Sequence, residues 1–146
     1  MKKLIILDLN GVLIHRVYKD GLQNIYFRPG IKKFIRLLFK KYDVAVWSCC
    51  NKYNTEKLTT QIFGKLKSKL VFIYNRNNCS GKSKKEKVLD KVWNDWVEYD
   101  KHNTLIIDDT PWKTINNPKE AVYNVTTWVI DDFNGETLND IYYKIT

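Results

Sequence analysis

Three stretches of the chain place polar side chains directly after apolar runs. Asp8 and Asn10 interrupt LDLNGVLI (7–14), Ser48 follows VAVW (44–47), and Asp108-Asp109 follow TLII (104–107). An aspartate closing a buried apolar run is costly unless it has a partner or a task. A carboxylate can attack phosphorus when cations neutralise the phosphoryl oxygens. A hard divalent ion held by one or two carboxylates plus substrate phosphate is the usual way of binding Mg²⁺. Lysines crowd residues 82–91, ahead of the last of the three stretches. Together these parts suit phosphoryl transfer through an aspartyl-phosphate.

The elements that must position them follow from patterning. Residues 3–9 read as a buried strand, and 17–27 as a hairpin around Asp20-Gly21. Ile31, Phe34, Ile35, Leu38 and Phe39 recur at helical spacing after Pro29-Gly30, which predicts a helix over 31–41. Residues 44–48 predict a second buried strand, 53–67 a helix, and 70–75 a third strand. Val88, Leu89, Val92, Trp93 and Trp96 predict a helix over 84–98. Residues 104–108 and 121–125 predict two more strands, with a last helix from about 137. Strands alternating with helices make a parallel sheet covered on both faces, and ligands bind at the carboxyl ends of such strands. The expectation is one α/β domain over residues 1–146: a three-layer sandwich with a five-stranded, mainly parallel sheet and a short β-hairpin flap.

The chain has 146 residues, 44% hydrophobic and 28% charged, globular values for a length that buries roughly 68–70% of the unfolded surface. No apolar run approaches a membrane span, and LIIL (4–7) runs into Asp8 without the pattern of a signal peptide. The expectation is a non-secreted, intracellular protein of nucleus or cytoplasm, with no membrane partner. The three cysteines include an adjacent pair, Cys49-Cys50, and offer no zinc-ligand spacing, so reduced thiols are expected. The net charge of +9 points to a polyanionic or acidic partner, such as nucleic acid, a phosphorylated protein or peptide, or an acidic protein tail, or else to a merely well-solvated surface.

The motifs, in this order, resemble a family. Asp8-Leu9-Asn10-Gly11-Val12-Leu13 is similar to the D-x-D-x-[TV]-L signature of haloacid-dehalogenase-superfamily phosphatases. Phe27-Arg28-Pro29-Gly30, Val46-Trp47-Ser48 and Leu105 to Pro111 resemble the small, capless branch that dephosphorylates the RNA polymerase II C-terminal domain. The resemblance covers about residues 3–125. It implies an HAD-like fold and a Mg²⁺-dependent phosphoprotein phosphatase acting on serine or threonine, with that polymerase tail a possible substrate. Asp8 would be nucleophile and Mg²⁺ ligand, and Asn10 would offer its backbone carbonyl to the metal. Asp109 would be a further ligand, with Asp108 supporting the metal shell or pairing with the lysine. Ser48 and the amide of Cys49 would bind phosphate together with a lysine, Lys87 by its match to K-x-L or else Lys82. Without a cap domain the site would be open, which suits phosphates on macromolecules.

The departure from the family pattern is Asn10, where most active members carry an aspartate that protonates the leaving oxygen. An amide cannot exchange a proton at physiological pH, and general acid–base catalysis is worth about 10²–10⁴-fold. A phosphopeptide-binding pseudophosphatase is therefore one alternative reading, and a polynucleotide 3′-phosphatase, suggested by charge, is another. Plainer readings stand beside these: Asp8 as a turn residue, Ser48 as an N-cap, Arg28 as a surface charge, and His15 as a hairpin residue. Trp112, beside Pro111, is expected to rim the site while the other tryptophans are mostly core. Asn78 to Ser83 mimics the end of a phosphate-binding loop, but Arg76 stands where its first glycine belongs. No C-x₅-R loop follows Cys49 or Cys50, which excludes a cysteine-phosphatase loop.

Overall fold

A computed structural model describes residues 2–132 and 135–146. In chain order, β1 (Leu4–Leu7) precedes a hairpin of β2 (Ile14–Lys19) and β3 (Leu22–Phe27), then α1 (Ile31–Lys41), β4 (Asp43–Trp47) and α2 (Lys52–Phe63). The second half runs through β5 (Ile73–Tyr74), α3 (Asp90–Asp95), β6 (Thr104–Asp108), α4 (Pro111–Thr114), β7 (Val122–Asn124) and α5 (Leu138–Ile145). Five strands form one sheet in the order β5-β4-β1-β6-β7, and every neighbouring pair is parallel.

Each residue of β1 is buried, and alternate side chains enter opposite layers: Ile5 and Leu7 pack with Phe34, Leu38, Leu58 and Ile141, whereas Leu4 and Ile6 pack with Trp47, Leu89 and Val92. Helices α1, α2 and α5 thus cover one face and α3 the other, which is why β1 reads as an unbroken apolar run. From β1 the chain builds outward through β4 to β5, then restarts on the other side of β1 with β6. The sheet order reverses between β1 and β6, and a crevice opens outside their carboxyl ends. Asp8 and Asp109 directly follow those two strands.

The hairpin is a flap outside this sheet. Lys19 pairs with Leu22, and the turn residues Asp20 and Gly21 both have positive φ, 53° and 76°, as a tight turn matched to strand twist requires. Arg28, for which a surface charge is the plainer reading, is buried: its guanidinium donates to the Val12 carbonyl at 3.0 Å and to the Glu136 carbonyl, pinning the base of the flap.

Several elements are shorter than their patterns predict. The helix predicted over 84–98 reduces to α3 because its first residues bond elsewhere. Ser80 and Glu86 exchange backbone bonds, Lys87 N–H donates to the Lys113 carbonyl at 2.7 Å, and Leu89 N–H donates to Asn117 Oδ1 at 2.7 Å. With those amides committed to tertiary partners, helix can begin only at Asp90. The helix expected to 67 ends at Phe63, where Gly64 leads into a 3-10 turn, and the strand expected over 70–75 pairs only at Ile73 and Tyr74. The α4 turn carries no apolar periodicity to announce it; Pro111 begins it at a position where a missing N–H costs nothing.

Candidate active site

Asp8, the first residue after β1, donates its backbone N–H to the Ile107 carbonyl at 3.1 Å, so the sheet ladder itself fixes the carboxylate beside β6. Its Oδ1 accepts from Leu9 N–H at 2.9 Å and lies 3.1 Å from Lys87 Nζ. Lys87 Nζ also bonds Asp108 Oδ2 at 2.5 Å, and both side chains are 0% exposed. Asp108 Oδ1 accepts from Thr110 N–H at 2.8 Å. Lys87 is thus the lysine that joins the acids, while Lys82, the other candidate, is exposed.

Asp109 completes the acidic group. One ligand oxygen each from Asp8, Asp108 and Asp109 lies within 4.8 Å of the others. Thr110 Oγ1 donates to Asp109 Oδ1 at 3.2 Å and Thr127 Oγ1 to Oδ2 at 2.7 Å. Gly11 makes this approach possible: a Cβ there would stand 2.1 Å from Asp109 Oδ2, and its φ of +89° is one that glycine alone adopts readily.

Two of the three carboxylates, Asp8 and Asp108, share one ammonium. Burial raises the Asp8 pKa well above the ordinary carboxylate range; Lys87 opposes this, and Asp108 and Asp109 add to it. Burial works against the charge of Lys87 too, but Asp8 and Asp108 outweigh it and hold that lysine firmly protonated. The surplus of hard, anionic oxygens between Asp8 and Asp109 is a donor set that fits a small divalent cation.

On the other side of β1, Ser48 follows β4 and is 2% exposed. Its N–H donates to the Tyr74 carbonyl at 3.0 Å and its Oγ accepts from Cys50 N–H at 3.1 Å. The α2 N-cap is not Ser48 but Asn51, whose Oδ1 accepts from Asn54 N–H at 2.8 Å. Asp8, Asn10, Ser48, Cys49 and Asp109 line one cavity of about 250 Å³.

Asn10 is exposed, and its Oδ1 accepts from Arg16 N–H at 3.2 Å, closing the entry to the flap. Among the described residues, Asp8 and Asp109 are the acids lining the cavity, and no third one stands at its mouth. Four cations do: Arg16, Arg76, Lys85 and Lys113. Sequence reasoning singled out none of them as site residues, because they arrive on four separate segments without a motif. Their one signal was the overall basic charge. Trp112 is half exposed in the turn after the acids, and His15 Nδ1 accepts from Ile130 N–H at 2.9 Å as a hairpin-anchoring residue. The segment resembling a phosphate-binding loop forms no cradle: the open side of Gly81, where an anion would lie, holds the Glu86 carboxylate, 1.9 Å from where a Cβ would stand.

Strand order 5-4-1-6-7, with acids at the β1/β6 switch point and a flap in place of a cap, defines a haloacid-dehalogenase-like fold. Residues 3–145 match the NLI interacting factor-like phosphatases, and the chain belongs to that family. It is 28% identical over 165 residues to an uncharacterized FCP1 homology domain-containing protein of Schizosaccharomyces pombe, covering 96% of this chain and 65% of the relative. It is 32% identical over 92 residues to a CTD phosphatase-like protein of Invertebrate iridescent virus 6, covering 56% of this chain and 50% of the relative. Among solved structures it is similar to the fission yeast RNA polymerase II CTD phosphatase Fcp1 bound to beryllium fluoride, with a TM-score of 0.73 at 16% identity over 97% of this chain and 45% of that one. A 3-deoxy-D-manno-octulosonate 8-phosphate phosphatase from Vibrio cholerae shares the fold more distantly, at a TM-score of 0.51, 16% identity, and 76% and 59% coverage. The chain thus spans two thirds or less of the length of these relatives. Among the described residues, no helix is long and apolar enough to cross a membrane.

Proposed function

We propose that the chain is a Mg²⁺-dependent phosphoprotein phosphatase that forms a phosphoryl-enzyme on Asp8. The observation that carries this reading is Lys87, fully buried and bonded to both Asp8 and Asp108, with Asp109 facing the same cavity. Asp8, Asp109 and the backbone carbonyl of Asn10 would hold the ion. Bound there, it would neutralise phosphoryl oxygens and favour the ionised form of Asp8.

Asp8 Oδ1 is held by Leu9 N–H and Lys87, which leaves Oδ2 to attack phosphorus. As that P–O bond forms, the ester P–O bond breaks and the leaving oxygen carries off the electron pair. Water then attacks phosphorus, the bond to Asp8 breaks, and inorganic phosphate leaves with the carboxylate restored. Ser48 Oγ and the Cys49 amide flank the phosphoryl group, and Lys87 keeps the nucleophile oriented. The mouth with Arg16, Arg76, Lys85 and Lys113 suits an acidic, multiply phosphorylated peptide, of which the polymerase tail is one.

Asn10 supports a second reading, that of a phosphopeptide-binding pseudophosphatase, because the cavity offers no acid in its place. The leaving oxygen must then take its proton from solvent, a burden slight for a phenolate and heavy for a serine alkoxide. Turnover of p-nitrophenyl phosphate and of a phosphoserine peptide with Mg²⁺ separates the readings. The expected result is measurable turnover of the phenyl ester, abolished in Asp8→Asn, and a gain of about 10²–10⁴-fold on the peptide in Asn10→Asp. Peptide binding without turnover of either substrate establishes the pseudophosphatase. Salt-sensitive release of 3′-phosphate from DNA, with the peptide untouched, selects the polynucleotide phosphatase instead.

A further inference from the structure

Cys49 and Cys79 belong to different loops, yet their Sγ atoms lie 3.4 Å apart. Cys49 follows Ser48 at the end of β4; Cys79 follows the 3-10 turn Arg76–Asn78 beyond β5. The two loops are tied together, since Arg76 N–H donates to the Cys50 carbonyl at 2.8 Å and Arg76 Nε to the Cys49 carbonyl at 3.2 Å. The sulfurs therefore face each other because the backbone holds them there. Cys49 Sγ also lies 3.2 Å from the Lys85 carbonyl oxygen, so its single proton is shared between that oxygen and Cys79, and both thiols are free and half-buried.

The two thiols differ in chemistry. The hydrogen bond from Cys49 favours the Cys79 thiolate, and although burial opposes it, the Trp47 N–H and the Lys87 and Lys113 ammonium groups assist, lowering its pKa to about 7. The same hydrogen bond, with burial, pushes the Cys49 thiol up. A thiolate beside a retained thiol is the arrangement in which one sulfur reacts first and the other resolves it.

We propose that Cys49 and Cys79 form a redox modification site, closed to a disulfide by peroxide and opened by thiols, and that closure distorts the Ser48-Cys49 loop and slows turnover. The Cys79 thiolate attacks one oxygen of hydrogen peroxide; the O–O bond breaks, hydroxide leaves and takes up a proton as water, and Cys79 becomes a sulfenic acid. The Cys49 sulfur then attacks the Cys79 sulfur; the S–O bond breaks, the Cys49 proton leaves with the hydroxide as water, and the S–S bond forms. Two thiols lose two electrons and one peroxide becomes two waters. A disulfide needs about 2.0 Å between sulfurs, so the 3.4 Å gap between the two loops must close and Cys49, having lost its proton, no longer donates to the Lys85 carbonyl. A displacement of about 1 Å in a positioning loop can cost about 10²-fold in rate.

The effect on turnover rests on the proposed phosphatase reading, whereas the cross-link does not. The full chain is treated with hydrogen peroxide, its remaining thiols are alkylated, and the peptides are mapped without reduction while p-nitrophenyl phosphate turnover is measured with Mg²⁺. The expected result is a Cys49–Cys79 linked peptide, Cys50 alone alkylated, and a fall of about 10²-fold that dithiothreitol reverses. Cys79→Ser keeps its untreated turnover and escapes the fall, and Cys50→Ser still forms the link. A Cys49–Cys50 link, no link, or a Cys49–Cys79 link that leaves an active chain at full rate would each overturn the proposal. A chain with no turnover in any state defeats the phosphatase reading, and the mapped link still decides the modification site.

Discussion

On the β1/β6 side of the cavity Asp8, Lys87 and Asp108 are buried and bonded to one another; on the β4/β5 side, beyond the buried Ser48, the polar groups hang on loops and are partly or fully exposed. Asp8, Lys87 and Asp108 form a closed chain of charge-assisted bonds anchored by strand ladders, and Gly11 is shaped around Asp109. Across the cavity, Cys49, Arg76 and Cys79 meet through loop-to-loop bonds, with Lys85 and Lys113 at the rim. The first side has one arrangement available to it, because separating its charges would leave them uncompensated in a dry layer. The second can shift without burying a charge. Phosphoryl chemistry needs the first kind of environment, and adjustment to a substrate or an oxidant needs the second.

The strongest way to break this contrast is to remove the central cation. Lys87→Met leaves Asp8 and Asp108 buried without a neutralising cation and is expected to cost about 3–5 kcal/mol of stability, measured by urea unfolding. A loss below about 1 kcal/mol would mean that the buried side tolerates unpaired charge as easily as the rim does. On the loop side the expected effect is on rate and follows pH. Cys49, Trp47, Lys87 and Lys113 set the Cys79 thiol near 7, so the rate of peroxide-driven linking rises with pH up to about 7 and levels above it. Below that value the rate falls about tenfold per unit, as the thiolate is lost. Quenching the reaction with alkylating agent at several pH values measures this; a rate flat between pH 5 and 8 would contradict it. The smallest effect belongs to the rim. Lys113→Ala removes one half-exposed cation of the rim, and at about 0.2–1 kcal/mol it should raise KM for an acidic phosphopeptide by no more than about fivefold, less at high salt, with kcat unchanged.

The same contrast governs what the sequence could reveal. Asp8, Ser48 and Asp108-Asp109 were legible because each ends an apolar run, and a polar residue there has nowhere to be but the carboxyl edge of a sheet. The parallel sheet and α1 were legible from periodicity for the same reason: burial on one or both faces dictates residue type position by position. The 84–98 segment misleads because its spacing is helical while its amides bond to Lys113 and Asn117, partners nearly thirty residues away in the chain. Arg28 looks like any surface arginine until the carbonyls of Val12 and Glu136 surround it. The Cys49–Cys79 meeting depends on how two loops are strapped, and no spacing rule encodes that.

The central claim is that Asp8 carries the phosphoryl group. The direct measurement is acid-quenched peptide mapping of the chain after brief incubation with p-nitrophenyl phosphate and Mg²⁺, beside Asp8→Asn treated alike. The account predicts a phosphoryl adduct on the peptide bearing Asp8, labile to hydroxylamine as an acyl phosphate is, and absent from Asp8→Asn. Turnover that persists in Asp8→Asn, or an adduct on any other side chain, would contradict it.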